Sequence, residues 1–293
     1  MNILTTILTH HSVSDTVRAW RTSENPNTVI VCNSSDPEFF NQLTSRLPEA
    51  RIHRPLNIIN TPGGGKQACW DYFIDNTSDD YICMLDGDDV FVPGAWDIIN
   101  NICRYDRPSV MLLRGEDIIM DGTVMGRPPS ESLLWSWNKF PQALKLTMTY
   151  LGLTPELQSD IIAFFEDIKH HQGTQFERLI CCDRTTAQRH HWDVTMKGCE
   201  DVKLNWQLRL DEAINVIIYE TSDIMIYIKK AVSGTGTEFV MSDFESDSQN
   251  FTQSFSKSDL QKLYHDTPNL KTLCHTLSRK DRLSRACDII NYK

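Results

Sequence analysis

The chain has 293 residues, 40% of them hydrophobic and 23% charged, with a formal charge of −10 at neutral pH. That length can bury a full core in one large domain or two smaller ones, and the composition is ordinary for a soluble globular protein. The acidic balance argues against a surface built to coat nucleic acid, while leaving room for a local basic groove.

The nine cysteines are an odd count, most sit within apolar runs, and no Cys-x-x-Cys pair occurs. Buried thiols in a reducing compartment explain this better than a disulfide framework. The N-terminus lacks a basic leader region and a small-residue cleavage site, so it reads as a strand rather than a signal peptide. No apolar run approaches a membrane span. The expectation is a soluble, cytoplasmic protein.

In chain order, Asn2 to Leu8 predicts a strand leading to Thr9-His10-His11-Ser12. A helix follows from Ser12, with Val13, Val17 and Trp20 on one face. Thr28 to Cys32 is a second strand, rich in β-branched residues. Asp36-Pro37 supplies an N-cap and a first-turn proline for a helix carrying Phe39, Leu43 and Leu47. Gly63-Gly64-Gly65-Lys66 opens another helix. Tyr81 to Leu85 is a buried strand that runs directly into Asp86-Gly87-Asp88-Asp89, three carboxylates in four residues. A helix from Pro93 presents Trp96, Ile99 and Cys103, and Val110 to Leu113 is the next strand.

This alternation of strands and helices predicts an α/β domain with a mostly parallel sheet, whose ligand site lies beyond the carboxyl ends of the strands. Thr9, Asp36 and the acidic run all fall at such ends. Ile118 to Val124 reads as a hairpin around Asp121-Gly122. From Ser130 to about Gln175 the pattern changes to aromatic-rich helices, an expected insertion. Leu179 to Cys182 returns to strand. Glu200-Asp201 opens a helix on which Val202, Trp206 and Leu210 repeat every four residues, so both carboxylates sit where the helix dipole favours anions. Ile214 to Tyr219 and Ile224 to Ile228 predict a second hairpin. Ser233 to Lys257 is a polar candidate loop, and the apolar spacing from Asp259 onward predicts C-terminal helices. The expected organisation is residues 1–126 as one α/β half, 127–178 as the insertion, 179–232 as the other half of the same domain, 233–258 as a mobile loop and 259–293 as a helical tail.

Crowded carboxylates repel one another and are costly unless a cation or hydrogen-bond donors meet them. Hard divalent ions take oxygen ligands, commonly one or two carboxylates plus substrate phosphates. The acidic strand end therefore points to a metal–diphosphate site. Two other motifs are weaker. The Gly-rich stretch before Lys66 fails the phosphate-loop spacing, since Asn60 and Gln67 stand where Gly and Ser or Thr are needed. Adjacent Cys181-Cys182 and His190-His191 are poor tetrahedral zinc spacings.

Three elements in order resemble the GT-A glycosyltransferases, family 2 most of all: Gly64-Gly65-Lys66-Gln67-Ala68, then Leu85-Asp86-Gly87-Asp88-Asp89-Val90-Phe91-Val92-Pro93, then Glu200-Asp201-Val202-Lys203-Leu204 with Leu208. The resemblance covers about residues 1–125 and 195–230. It implies a GT-A (Rossmann-like) fold and an inverting, metal-dependent transfer of a sugar from a nucleotide-sugar, a UDP-sugar first, with Mn²⁺ or Mg²⁺. Residue by residue, it implies that Thr9, His11 and Asp36 hold the base and that Lys66 lies near base or diphosphate. Asp86 would meet the ribose and share the metal with Asp88. Asp201 would be the general base, with Glu200 as alternative or partner.

One departure stands out. Where the family often has Tyr-x-x-His, this chain has Tyr227-Ile228-Lys229-Lys230. The expectation is either that the metal lacks a third protein ligand and depends more on the diphosphate or that Lys229 or Lys230 pairs with phosphate directly. The acceptor stays open between a glycan, a lipid-linked precursor, a protein and a modified base in DNA, the last served by the basic stretch Arg279 to Arg285. The rival readings are a nucleotidyltransferase and an inactive nucleotide-sugar-binding module.

Overall fold

A computed structural model of the chain describes residues 1–114, 117–120, 123–125, 155, 159, 178–196, 200–220, 225–229 and 270–274. The strands are β1 (Ile3–Thr9), β2 (Thr28–Cys32), β3 (Arg51–His53), β4 (Tyr81–Asp86), β5 (Asp89–Phe91), β6 (Val110–Arg114), β7 (Asp117–Met120), β8 (Thr123–Met125), β9 (Arg178–Asp183), β10 (Val216–Glu220), β11 (Met225–Lys229) and β12 (Leu270–Cys274). The helices are α1 (Val13–Thr22), α2 (Pro37–Arg46), α3 (Pro62–Asn76), α4 (Ala95–Tyr105), α5 (Arg184–Arg189) and α6 (Glu200–Leu210).

Eight strands form one sheet in the order β12-β10-β6-β9-β4-β1-β2-β3. Every neighbouring pair is parallel except those made by β9, which runs against both β4 and β6. A smaller sheet has the order β5-β11-β7-β8.

The large sheet is covered on both faces, as a parallel sheet requires. Side chains alternate between them. Ile3 and Ile7 of β1 join Val17, Phe39, Leu43 and Ile99 on the side of α1, α2 and α4. Leu4 of the same strand joins Trp70, Phe73, Leu204 and Leu208 on the side of α3 and α6. The helix starts follow their caps: Ser12 accepts from Asp15 N, Asp36 from Glu38 N and Thr61 from Gly64 N. The helix expected from Pro93 begins two residues later, because Gly94 takes a left-handed conformation at φ 83° that other residues adopt at a cost.

The hairpin at 118–124 forms as β7 and β8. The second expected hairpin does not. β10 lies parallel between β6 and β12 in the large sheet, whereas β11 pairs with β5 and β7 in the small one. The physical reason lies in β10 itself, whose Val216, Ile217, Ile218 and Tyr219 are all buried, as in a strand covered on both faces. The expected C-terminal helix is also corrected at Leu270–Cys274, which adds a strand to β10. Pairing at the sheet edge outweighs the local three-and-four spacing there. Arg178, expected in the insertion, begins β9, and β3 was hidden by its polar residues. The rest of the insertion, apart from positions 155 and 159, the 233–258 loop and the basic stretch 279–285 lie outside the described residues. No helix among the described residues is long and apolar enough to cross a membrane.

Candidate active site

Strand order reverses between β1 and β4: β2 and β3 lie on one side of β1, while β4 lies on the other. Such a crevice is where open α/β sheets bind ligands. Both strands end in polar residues there, Thr9 and Asp86. The acidic turn is pinned to β1 by Gly87 N donating to Leu8 O at 2.6 Å. A side chain at residue 87 would place its Cβ 2.7 Å from Leu8 O and 3.1 Å from Thr9 Cβ. Only glycine brings the carboxylates this close to the end of β1.

Thr9 is buried, with its hydroxyl 2.5 Å from that of Thr16. Thr16 donates its proton to Ser12 O, so Thr9 is the donor of the pair and retains lone pairs as acceptor. His10 and His11 follow, ring centroids 4.2 Å apart. The protein packed around His10, together with His11, lowers its pKa, while Asp86 opposes the change.

Across the crevice, α3 and α6 meet. Lys66 Nζ donates to Glu200 Oε1 at 2.7 Å, and both residues are buried. The ammonium also lies 5.0 Å from the centroid of Trp192. Burial disfavours the Lys66 charge, yet Glu200, Asp86 and Asp201 hold its pKa above the ordinary lysine value. Burial raises the pKa of Glu200 against the pull of Lys66, with Asp201 adding to the rise. The loop before α6 is fastened to the start of α3: Thr61 donates to Val194 O at 2.7 Å and Trp192 N to Gln67 Oε1 at 2.8 Å. Gly63 is the close approach in this joint, since a Cβ there would lie 2.1 Å from Asp193 O. Gly63 and Gly64 thus serve helix-to-loop packing, while Gly65 faces Leu8 of β1.

The carboxylates of the acidic turn have different surroundings. Asp86 Oδ2 accepts from Arg178 at 2.6 Å, and the fully buried Asp89 accepts from the same guanidinium. Burial works against the charge of Asp86, but Arg178, Lys66 and His10 outweigh it and hold its pKa below the usual value. Asp88 is only half-buried. Burial and the adjacent charge of Asp86 raise its pKa, partly offset by Arg178. A cation at Asp88 would relieve that repulsion. Among the described residues no group of three or more His, Cys, Asp or Glu side chains could hold a metal. Magnesium-type ions need only one or two carboxylates when phosphates complete the shell, so Asp88 and its neighbour fit such an ion and not a closed all-protein site.

The electrostatic interactions link Lys66, Asp86, Asp88, Glu200 and Asp201 in one cluster that includes His10, His11 and Arg178. Asp36 is exposed at the end of β2 and caps α2. Lys229 ends β11; Tyr227 pairs with Asp89 in antiparallel register, so the strand continues past the start of β5 on the side of Asp88. Lys230 lies outside the described residues. Sequence reasoning missed Arg178 and Asn33. Asn33 N donates to Thr9 O at 2.8 Å and its side chain donates to Ile59 O, leaving a buried Oδ1 with no hydrogen-bond partner. A polar residue directly after the apolar β2 is the signal that could have found it. No spacing signal marks Arg178.

Neither a protein-family model nor a curated protein sequence matches the chain. Among solved structures, it is similar to S. aureus TarS 1-349 in complex with UDP-GlcNAc, with a TM-score of 0.51 at 12% identity, over 91% of this chain and 76% of that one. The fold is that of a GT-A glycosyltransferase. The same TarS fragment in complex with UDP superposes with a TM-score of 0.47 at 12% identity, over 91% of this chain and 76% of that one. A longer S. aureus TarS chain gives a TM-score of 0.48 at 10% identity, over 91% of this chain. The chain spans 46% of that longer protein's length. In the GT-A frame, the Asp86 turn ends the central strand β4, and α6 brings Glu200-Asp201 to the opposite side of the same crevice.

Proposed function

We propose that this chain is an inverting glycosyltransferase that moves a sugar from a nucleotide-sugar, a UDP-sugar first, to an acceptor hydroxyl. The observation that carries the reading is the convergence of Lys66, Asp86, Asp88, Glu200 and Asp201 at the strand-order reversal of a GT-A sheet. The UDP-GlcNAc bound to the TarS fragment of the same fold supports the donor class.

In this reading the base lies over the ends of β1 and β2, where Thr9 and Asn33 offer acceptors, with His11 and Asp36 at the rim. Asp86 takes the ribose. Asp88 would hold Mn²⁺ or Mg²⁺, with Asp86 beside it, and the ion would supply charge neutralisation to the departing diphosphate. Lys66 stays charged and adds positive potential at the same edge. Lys229, the last residue of β11, or Lys230 would pair with the diphosphate.

The acceptor oxygen attacks the anomeric carbon from the side opposite the diphosphate. Its proton passes to Asp201, and the carbon–oxygen bond to the diphosphate breaks with its electron pair leaving on the nucleotide. Asp201 is favoured over Glu200 because Asp201 is half-buried at the crevice, whereas Glu200 is buried on Lys66.

A thermal-shift panel of UDP-, GDP- and TDP-sugars with and without Mn²⁺ tests the reading. A rise in Tm with a UDP-sugar that grows with Mn²⁺ is expected. No shift with any nucleotide-sugar would overturn it, and binding without turnover or donor hydrolysis would make the chain an inactive module.

A further inference from the structure

Arg178 is the first residue of β9, and the reversed direction of that strand carries it to the C-terminal tip of β4. Its Nη2 donates to Asp86 Oδ2 at 2.6 Å, and its Nη1 donates to Asp89 Oδ2. Asp86 closes a strand of the large sheet, and Asp89 opens a strand of the small one. Two of the three carboxylates in the acidic turn therefore already have a cation. A guanidinium is always charged, and its planar fork suits two carboxylates at once.

We propose that Arg178 is a built-in counter-ion that competes with the divalent metal for Asp86, so that the metal enters together with the donor's diphosphate rather than before it. The proposal rests on the nucleotide-sugar reading above and adds to it an order of binding. An ion arriving alone meets Asp88 and, beside it, an Asp86 already engaged by a fixed positive charge. An ion arriving with a diphosphate gains phosphate oxygens as ligands, and their charge offsets the repulsion from Arg178. By linkage, the nucleotide must tighten the metal by the same factor as the metal tightens the nucleotide. Arg178 also joins the two sheets, so a purely structural role is the competing account. That account predicts lower Tm on substitution but no change in affinity for the metal alone.

The test is calorimetric titration of MnCl₂ into the full chain, with and without UDP, for the wild type, Arg178→Lys and the double variant Arg178→Gln with Asp89→Asn. The double variant removes one charge of each sign, which avoids leaving Asp89 buried without a counter-ion. Wild type should bind Mn²⁺ weakly alone and about ten-fold more tightly with UDP. The double variant should bind Mn²⁺ alone about ten-fold more tightly than wild type and show less coupling to UDP. Arg178→Lys, whose single nitrogen cannot span both carboxylates, should fall between, and it decides the matter if the double variant does not fold. Equal affinity for Mn²⁺ alone in wild type and variants would overturn the proposal, whatever their Tm. UDP binding with no coupling to Mn²⁺ would overturn it and leave the nucleotide reading intact. Failure of the wild type to bind UDP or any UDP-sugar would overturn both.

Discussion

Lys66 Nζ stands 2.7 Å from Glu200 Oε1, across 134 residues of chain, with both side chains almost wholly withdrawn from solvent. The pair joins α3 to α6 and sets Asp201 one residue beyond a fixed point. Under the proposed function Glu200 anchors the pair and Asp201 is the base, and substitution separates the two. Removing one partner of a buried ion pair costs about 3–5 kcal/mol, so Glu200→Ala should lower stability by that order in chemical denaturation. Asp201→Asn should keep its Tm and its donor affinity while losing turnover by about 10²-fold or more, as expected for removal of a general base. Full activity in Asp201→Asn would reassign the base.

Asp88→Ala should abolish the Mn²⁺-dependent part of donor binding. In a UDP-sugar thermal-shift titration, the curves with and without Mn²⁺ should coincide. A Mn²⁺ effect of wild-type size in this variant would remove Asp88 from the metal site.

Gly87→Ala should displace the acidic turn from β1, because its Cβ would stand 2.7 Å from Leu8 O. Overpacking of this kind costs about 1–3 kcal/mol. Both Tm and donor affinity should fall, whereas Gly94→Ala, whose N–H donates to Glu24 just past the C-terminal end of α1, should affect Tm alone.

Asp86 gives an acid-side pH dependence. Its folded pKa lies below the ordinary aspartate value of 3.8, held there by Arg178, Lys66 and His10 against burial. A carboxylate depressed on folding contributes stability above its unfolded pKa and loses it as pH falls through the folded value. Wild-type Tm should therefore decline as pH drops below 3.8. Asp86→Asn should show a shallower decline over the same range, and identical slopes would remove Asp86 from the linkage.

What local pattern determines was readable from the residues alone. The apolar run of β4, the cap at Asp36, the helix opening at Glu200 and the alternation of strands with helices all depend on near neighbours. They were enough to predict an α/β domain with a mostly parallel sheet and to put Thr9, Asp36 and the acidic run at strand ends, while the GT-A frame and the places of Lys66 and Asp201 came with the family resemblance. Strand partnership is a different kind of information. The continuous apolar run Val216 to Tyr219 suits a strand covered on both faces, but nothing in residues 214–228 names the strands that flank it, and the apolar spacing of Leu270, Leu273 and Leu277 suits a helix until a sheet edge offers a partner. Arg178 marks the same limit. Its side chain has its role because β9 runs backwards between β4 and β6, and strand direction is settled by long-range pairing that no local spacing records.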